Sequence, residues 1–176
     1  QVSGSIIKCD EGTVVIDAGE GFQTRFANQR KNLKLFEKGT TLKTAKIDAV
    51  CLTHGHLDHT WGLLPWLQSM SLDNRESPLL ILGPTSEEVF DSLLNNQQIP
   101  DQAPPAELAR QFRYWQSLGG NHEALSYPIR WVLGDIGNNR WLEFDAQQNS
   151  VHQLQGMPQP SKWKNNKLCP LQTNHS

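Results

Sequence analysis

The feature that most constrains this chain is a dense cluster of metal-ligating side chains directly after an apolar, strand-like run. Residues 53–59 read Thr-His-Gly-His-Leu-Asp-His, so three of the six histidines and one aspartate fall within six positions. Chance is a poor explanation, because composition alone predicts the pattern on the order of 4 times in 10,000 chains of this length. Imidazole nitrogens and carboxylates are the ligands that zinc and similar divalent metals prefer. The cluster therefore predicts a metal site.

The spacing within the cluster suggests two metal positions. His54 and His56 are two residues apart on an extended loop, so their side chains point the same way and could hold one ion. Asp58 and His59 lie at the entry of the next helix, which directs them to a second point. Two ions about 3.5–4 Å apart are the usual arrangement for hydrolysing phosphate esters. The alternative reading of Asp58 is a helix cap.

A zinc site takes three or four ligands, so the loop needs a further histidine. The candidates are His122, His152 and His175. His175 follows the strand-like stretch 167–173, a position that suits a ligand projecting from a sheet edge, and we select it. His122 and His152 lie in polar turns, where exposed histidines are ordinary.

The remaining pattern alternates strands with helices, which predicts a layered α/β domain. Two β-branched runs around Asp10-Glu11-Gly12 predict a hairpin. The other predicted strands are 46–52, 79–82, 128–133, 140–145, 151–154 and 167–173, and the predicted helices are 22–31, 60–70, a segment capped by Thr85 or Ser86 through Leu94, and 105–118. The Gln/Pro-rich segment 97–105 predicts a hinge between two halves.

Composition limits the class of protein. With 176 residues and a net charge of −2, the chain is one domain and neither a basic nucleic-acid coat nor a charged disordered tail. Between residues 25 and 46, however, seven basic side chains face only Glu37. That run could bind a phosphate polymer such as RNA, or it could simply form a solvated helix and loop face.

Location and completeness are further expectations. No apolar run is long enough to cross a bilayer, so we expect no membrane partner. Three distant cysteines argue against a disulfide framework and favour a reducing, cytoplasmic compartment. The chain opens on Gln1 and ends on Ser176 after an apolar stretch, so we expect residues 1–176 to be one partial domain truncated at both ends.

Thr-His-x-His-x-Asp-His after a buried strand resembles the signature of the metallo-β-lactamase fold superfamily, which implies an αβ/βα sandwich. The stretch from Val15 to Gln23 resembles the Asp-Cys-Gly-Glu-Gly-Thr-Gln motif of the ribonuclease Z family, with departures at Ala18 and Phe22. The Trp-Gly-Leu-Leu continuation at 61–64 and the ending at 173–176 are also similar to that family.

This resemblance implies a zinc-dependent endoribonuclease, a hydrolase that cleaves tRNA precursors 3′ of the mature end with a metal-activated hydroxide. It makes His54, His56 and His175 ligands of one Zn²⁺, and Asp58 and His59 ligands of a second, with Mn²⁺ as a possible substitute. Asp58 is also the catalytic proton-transfer carboxylate. Asp17 is expected to support the metal loop through hydrogen bonds, and a homodimer is the habit of the family.

The resemblance also implies missing parts. Family members continue with a bridging Asp, a last His ligand and an arm that clamps tRNA, and they open with a Gly-rich motif. We therefore expect residues 1–176 alone to bind at most one zinc well and to be nearly inactive. Two alternatives remain: a hydrolase of the same fold acting on a small phosphodiester, lactone or thioester, and a non-catalytic module that binds RNA or a partner.

Overall fold

The fold is built on one mixed β-sheet. The computed structural model describes residues 3–37, 39–100, 107–121, 123–145 and 150–173. In these ranges seven strands lie side by side in chain order. They are β1 (Ser5–Lys8), β2 (Thr13–Ile16), β3 (Ile47–Cys51), β4 (Leu79–Pro84), β5 (Ile129–Asp135), β6 (Arg140–Asp145) and β7 (Ser150–Leu154). Strands β2 to β5 are parallel, and antiparallel pairs close both edges.

Helices cover one face of this sheet, which confirms the predicted α/β class. They are α1 (Phe22–Phe36), α2 (Leu57–Thr60), α3 (Leu63–Leu72), α4 (Glu87–Leu94) and α5 (Leu108–Ser117), with 3₁₀ turns at Thr44–Lys46 and Ile136–Asn138. Alternate strand residues such as Val15, Ile81 and Leu133 pack with helix side chains in the main core. Burying alternate side chains of the central strands in this way fixes the register of the sheet.

Several predicted elements need new boundaries. Helix α1 runs five residues beyond the predicted end at Lys31, and the predicted helix 60–70 is divided by a break at Trp61–Gly62. The predicted cap of α4 is confirmed, because the Val89 N–H donates to Ser86 Oγ at 3.2 Å. His152 lies on strand β7, where its Nε2 is 3.9 Å from Glu143 Oε1, and not in the predicted turn.

The predicted hinge at 97–105 is wrong. Strands β4 and β5, which precede and follow this segment, pair in parallel over six residues of each strand. The whole connection that contains this segment therefore runs between two neighbouring strands of one sheet and does not separate two halves. Residues 101–106 lie outside the described ranges. Among the helices that are described, none is long and apolar enough to span a lipid bilayer.

The other face of the sheet carries a second, smaller core. Side chains from the central strands, including Val14, Leu82 and Trp141, are buried there. They pack against the segment 157–173, which we call the strap, through residues such as Met157 and Trp163. The predicted strand 167–173 is wrong, because this part of the strap is irregular. Its Leu168 backbone bonds to the Gln159 side-chain amide and not to a neighbouring strand.

The strap is anchored to the hairpin turn between β1 and β2. The Glu11 carboxylate accepts backbone N–H bonds from Lys164, Asn165 and Asn166. These bonds hold the pKa of Glu11 down at about 2, so the carboxylate stays ionised and keeps accepting them at neutral pH. The Trp163 indole N–H donates to Asp48 at 3.0 Å beside this turn.

Arg75 joins the start of β3 to the loop that follows α3. It is only 3% exposed, and its guanidinium stands over the Tyr127 ring at 5.1 Å. It donates at 2.5–3.0 Å to four carbonyl oxygens, those of Thr44, Ile47, Ser77 and Pro78. Burial lowers the pKa of Arg75, but the guanidinium remains protonated. The buried guanidinium therefore links the 3₁₀ turn and the start of β3 to the loop that follows α3.

Replacing Arg75 should therefore unfold the chain more easily. We expect Arg75→Met to lower the free energy of unfolding by about 3 kcal/mol or more, because buried carbonyl groups lose their donors. Urea denaturation followed by circular dichroism measures this change. Arg30→Met on the exposed surface of α1 is the control and should change stability by less than about 0.5 kcal/mol. Equal stability of the two variants would contradict this role of Arg75.

Candidate metal centre

The histidine cluster lies where the parallel strands end. The loop that follows β3 leaves the sheet beside the end of β2, because Ile16 pairs with Cys51 in the register of those strands. Leu52 N–H donates to the Leu82 carbonyl at 2.8 Å, which keeps the start of the loop attached to β4. The carboxyl ends of parallel strands are the usual place for a binding site in an α/β sheet.

One buried carboxylate organises this loop. Asp17 directly follows β2 and is 4% exposed. It accepts hydrogen bonds from Thr53 N–H and Thr53 Oγ1, both at 2.8 Å, and from His59 Nδ1 at 2.7 Å. Its backbone φ is 60°, in the left-handed region where only a few non-glycine residues lie. The structure thus confirms that Asp17 supports the loop through hydrogen bonds.

The bond to Asp17 fixes the tautomer of His59. A carboxylate only accepts, so Nδ1 carries the hydrogen of this bond, and Nε2 on the opposite side of the ring is the nitrogen that could bind a metal. That nitrogen lies 3.3 Å from Ser3 Oγ and 3.5 Å from Asp58 Oδ2. A carboxylate behind an imidazole is the usual support of a metal-ligating histidine, because it orients the ring and raises its basicity.

The His54 ring lies beside both of the other histidine rings of the loop. The centroid of the His54 ring lies 4.1 Å from that of His59 and 4.6 Å from that of His56. His54 Nδ1 is 2.9 Å from Thr53 Oγ1, so the threonine contacts both Asp17 and a histidine. The side chain of Asp58 is half exposed beside them. Four of the five predicted site residues are therefore neighbours.

The fifth predicted ligand, His175, lies outside the described residues, as does His122. Over the ranges that are described, no set of three or more His, Cys, Asp or Glu side chains converges tightly enough to hold an ion as placed. The donor chemistry nevertheless fits zinc, because the loop gathers three imidazoles and a carboxylate and one imidazole has its Nε2 oriented by Asp17. His54 and His56 would hold one ion, and Asp58 and His59 a second.

A cleft of about 950 Å³ opens beside the loop. The histidines and Glu107 lie on its polar side, and its apolar wall comes from the second sheet face and the strap, with Ile16, Leu82, Trp141, Met157 and Leu168. Burial, with the nearby Asp17 charge, raises the pKa of the Cys51 thiol in this cleft to about 12. The thiol therefore stays protonated at neutral pH, and a protonated thiol is a poor nucleophile.

Sequence reasoning missed two polar residues of this region. Glu107 accepts a hydrogen bond from Thr85 Oγ1 at 3.2 Å, and burial raises its pKa. Gln111, one turn later, contacts the histidine loop directly. Both belong to a segment predicted as helix from residue 105, but a helical pattern does not say which of its polar side chains turns inward. Only the packing of α5 identifies them.

Removing the acceptor at Asp17 should loosen the loop without disturbing the backbone. Asparagine tolerates a positive φ, so Asp17→Asn isolates the loss of one carboxylate oxygen. We expect the free energy of unfolding to fall by about 1–3 kcal/mol. Nitrogen-15 NMR should show the Nδ1–H tautomer of His59 in the parent and a tautomer mixture in the variant. Asp73→Asn, at an exposed position, serves as the control. An unchanged tautomer and unchanged stability would refute the role assigned to Asp17.

Comparison with known proteins places the chain in a family. The family model described as "Metallo-beta-lactamase superfamily" matches residues 1–120. Ribonuclease Z of Aeropyrum pernix is 36% identical over 149 residues, which is 74% of this chain and 44% of that protein. Ribonuclease Z of Clostridium botulinum is 31% identical over 109 residues, or 61% of this chain and 31% of that one. The chain thus spans less than half the length of these relatives.

Among solved structures, the short form of human tRNase Z matches with a TM-score of 0.40 and 22% identity, over 82% of this chain and 48% of that one. The predicted resemblance to ribonuclease Z is confirmed by the names of the curated relatives. Because the family match extends over more than half of the sequence and includes the histidine loop, this chain belongs to the metallo-beta-lactamase superfamily.

Proposed function

We propose that this chain carries the metal-binding loop of a zinc-dependent phosphodiesterase of the ribonuclease Z type, which cleaves tRNA precursors 3′ of the mature end. The observation that carries the proposal is the contact of the His54 ring with both the His56 and the His59 rings, together with the orientation of His59 by Asp17. The relatives named ribonuclease Z support the reaction class and the RNA substrate.

Each residue of the loop has a role in this proposal. His54 and His56, with His175, are ligands of one zinc, and His59 and Asp58 are ligands of the second. Zinc bound there would supply Lewis acidity toward a phosphodiester oxygen. The half-exposed Asp58 carboxylate faces solvent at the loop and would accept the proton of the attacking water. Asp17 keeps the Nδ1 proton of His59 in place throughout.

The substrate class is supported by surface charge. Arg30, Lys31 and Lys34 are exposed on α1, and their spacing puts them on one side of that helix. Lys43 and Lys46 are exposed in the segment that follows. Phosphates of an RNA are attracted to such a patch and release counterions on binding. These basic side chains have no part in the core, because the buried residues of α1 are Phe22 and Phe26.

The test measures metal content and cleavage on the protein expressed from its own gene. We expect bound zinc by mass spectrometry and removal of the 3′ trailer from a tRNA precursor. Asp58→Ala should lower the cleavage rate at least about 100-fold, because the proton acceptor is lost. Asp73→Ala removes an exposed carboxylate after α3 and should leave the rate unchanged.

The outcomes separate the possible functions. Zinc without trimming would overturn the tRNA substrate and favour a hydrolase of a small phosphodiester, lactone or thioester, since a fold does not fix its substrate. RNA binding without zinc or cleavage would favour a non-catalytic module. Absence of bound zinc would contradict the proposed metal centre itself.

A further inference from the structure

A glutamine on the helix before β5 contacts the histidine loop at two points. Gln111 Nε2 donates to the Gly55 carbonyl oxygen at 2.5 Å. Its Oε1 accepts a hydrogen bond from Thr60 Oγ1 at 2.7 Å. These partners lie 56 and 51 positions away in the sequence, so the contact joins two separate elements of the fold.

The two contact points are directly next to the histidines of the loop in the sequence. Gly55 is the residue between His54 and His56, and its carbonyl oxygen belongs to the peptide bond that joins it to His56. Thr60 follows His59 and is fully buried. Its hydroxyl also lies 3.4 Å from the His56 carbonyl. One side chain therefore contacts both the residue between His54 and His56 and the residue that follows His59.

The helix that carries Gln111 is a firm support. Leu108, Ala109 and Phe112 of α5 are 0–1% exposed. The Phe112 ring lies 4.9 Å from that of Trp131 on β5 and 6.0 Å from that of Phe144 on β6. Because α5 is packed onto the sheet in this way, Gln111 ties the loop to the core.

The chemistry of the contact requires an amide. The Gly55 carbonyl only accepts, so the NH₂ group must face it, and the Oε1 atom is left for the Thr60 hydroxyl. Glutamate would place an acceptor against an acceptor, and methionine would keep the length of the side chain without either hydrogen bond. We infer that Gln111 is a positioning residue, which holds the loop in the shape that its metal ligands need.

The inference rests on the proposed function, and its test uses a matched pair of variants from one helix. Gln111→Met removes both contacts. Gln116→Met is the control, because the Gln116 Nε2 atom is buried without a hydrogen-bond partner in the described part of the chain. We expect Gln111→Met to weaken zinc affinity about 10–100-fold, as loss of an outer support does, and Gln116→Met to leave it unchanged.

Three readouts separate positioning from general destabilisation. Zinc affinity is measured by competition with a chromogenic chelator, and the ligand geometry by the d–d absorption bands of the Co²⁺ form. Those bands should shift in Gln111→Met and in Gln111→Glu only. In metal-free protein, hydrogen exchange at residues 55–60 should accelerate at least tenfold in the same variants, while exchange in β3 and β4 stays at the parent rate.

Each outcome bears on one proposal. If the parent binds zinc and both methionine variants bind it equally, the role of Gln111 is overturned and the proposed function stands. If the parent binds no zinc, the proposed function fails, and unchanged exchange at residues 55–60 in Gln111→Met would overturn the positioning role as well. Faster exchange throughout the sheet would also overturn it, because Gln111 would then support the whole fold.

Discussion

The rest of the site depends on the hydrogen bonds that the Asp17 carboxylate accepts. It lies at the end of β2 and collects hydrogen bonds from Thr53, after β3, and from His59, in α2. Backbone hydrogen bonds join the same two segments, because Ala18 N–H donates to the His59 carbonyl and Gly62 N–H donates to the Ala18 carbonyl. A Cβ on Gly62 would lie 2.1 Å from the Gly19 oxygen, so only glycine permits this close approach.

The loop is held from two sides by chemically different contacts. The acceptor-only carboxylate of Asp17 binds donors on one side, and the Gln111 amide binds a carbonyl and a hydroxyl on the other. Both supports come from elements packed into the main core, namely β2 and α5. Preorganisation of this kind matters for a metal centre, because the ligands then need little rearrangement to bind the ion.

Local sequence patterns predicted the parts of this structure that local physics determines. Each predicted strand other than 167–173 corresponds to one of the strands β1 to β7, and Ser86 caps α4 as expected. The histidine spacing predicted a cluster, and the rings of His54, His56 and His59 do meet.

Contacts between distant segments left no such signal. Arg75 and Gln111 look like ordinary surface residues in the sequence. Arg75 nevertheless bonds to carbonyl groups about 30 positions away, and Gln111 bonds to one more than 50 positions away. Residues 167–173 of the strap are predicted as a strand, but they are irregular; Leu168 packs on the second sheet face, and Leu171 is exposed.

The most direct test of the proposed metal centre is zinc anomalous diffraction from crystals of the protein grown with zinc. We expect an anomalous peak within about 2.1 Å of an imidazole nitrogen of both His54 and His56, with the His59 Nδ1 still bonded to Asp17. A peak bound elsewhere, or a His59 ring turned so that Nδ1 binds the metal and leaves Asp17, would contradict it.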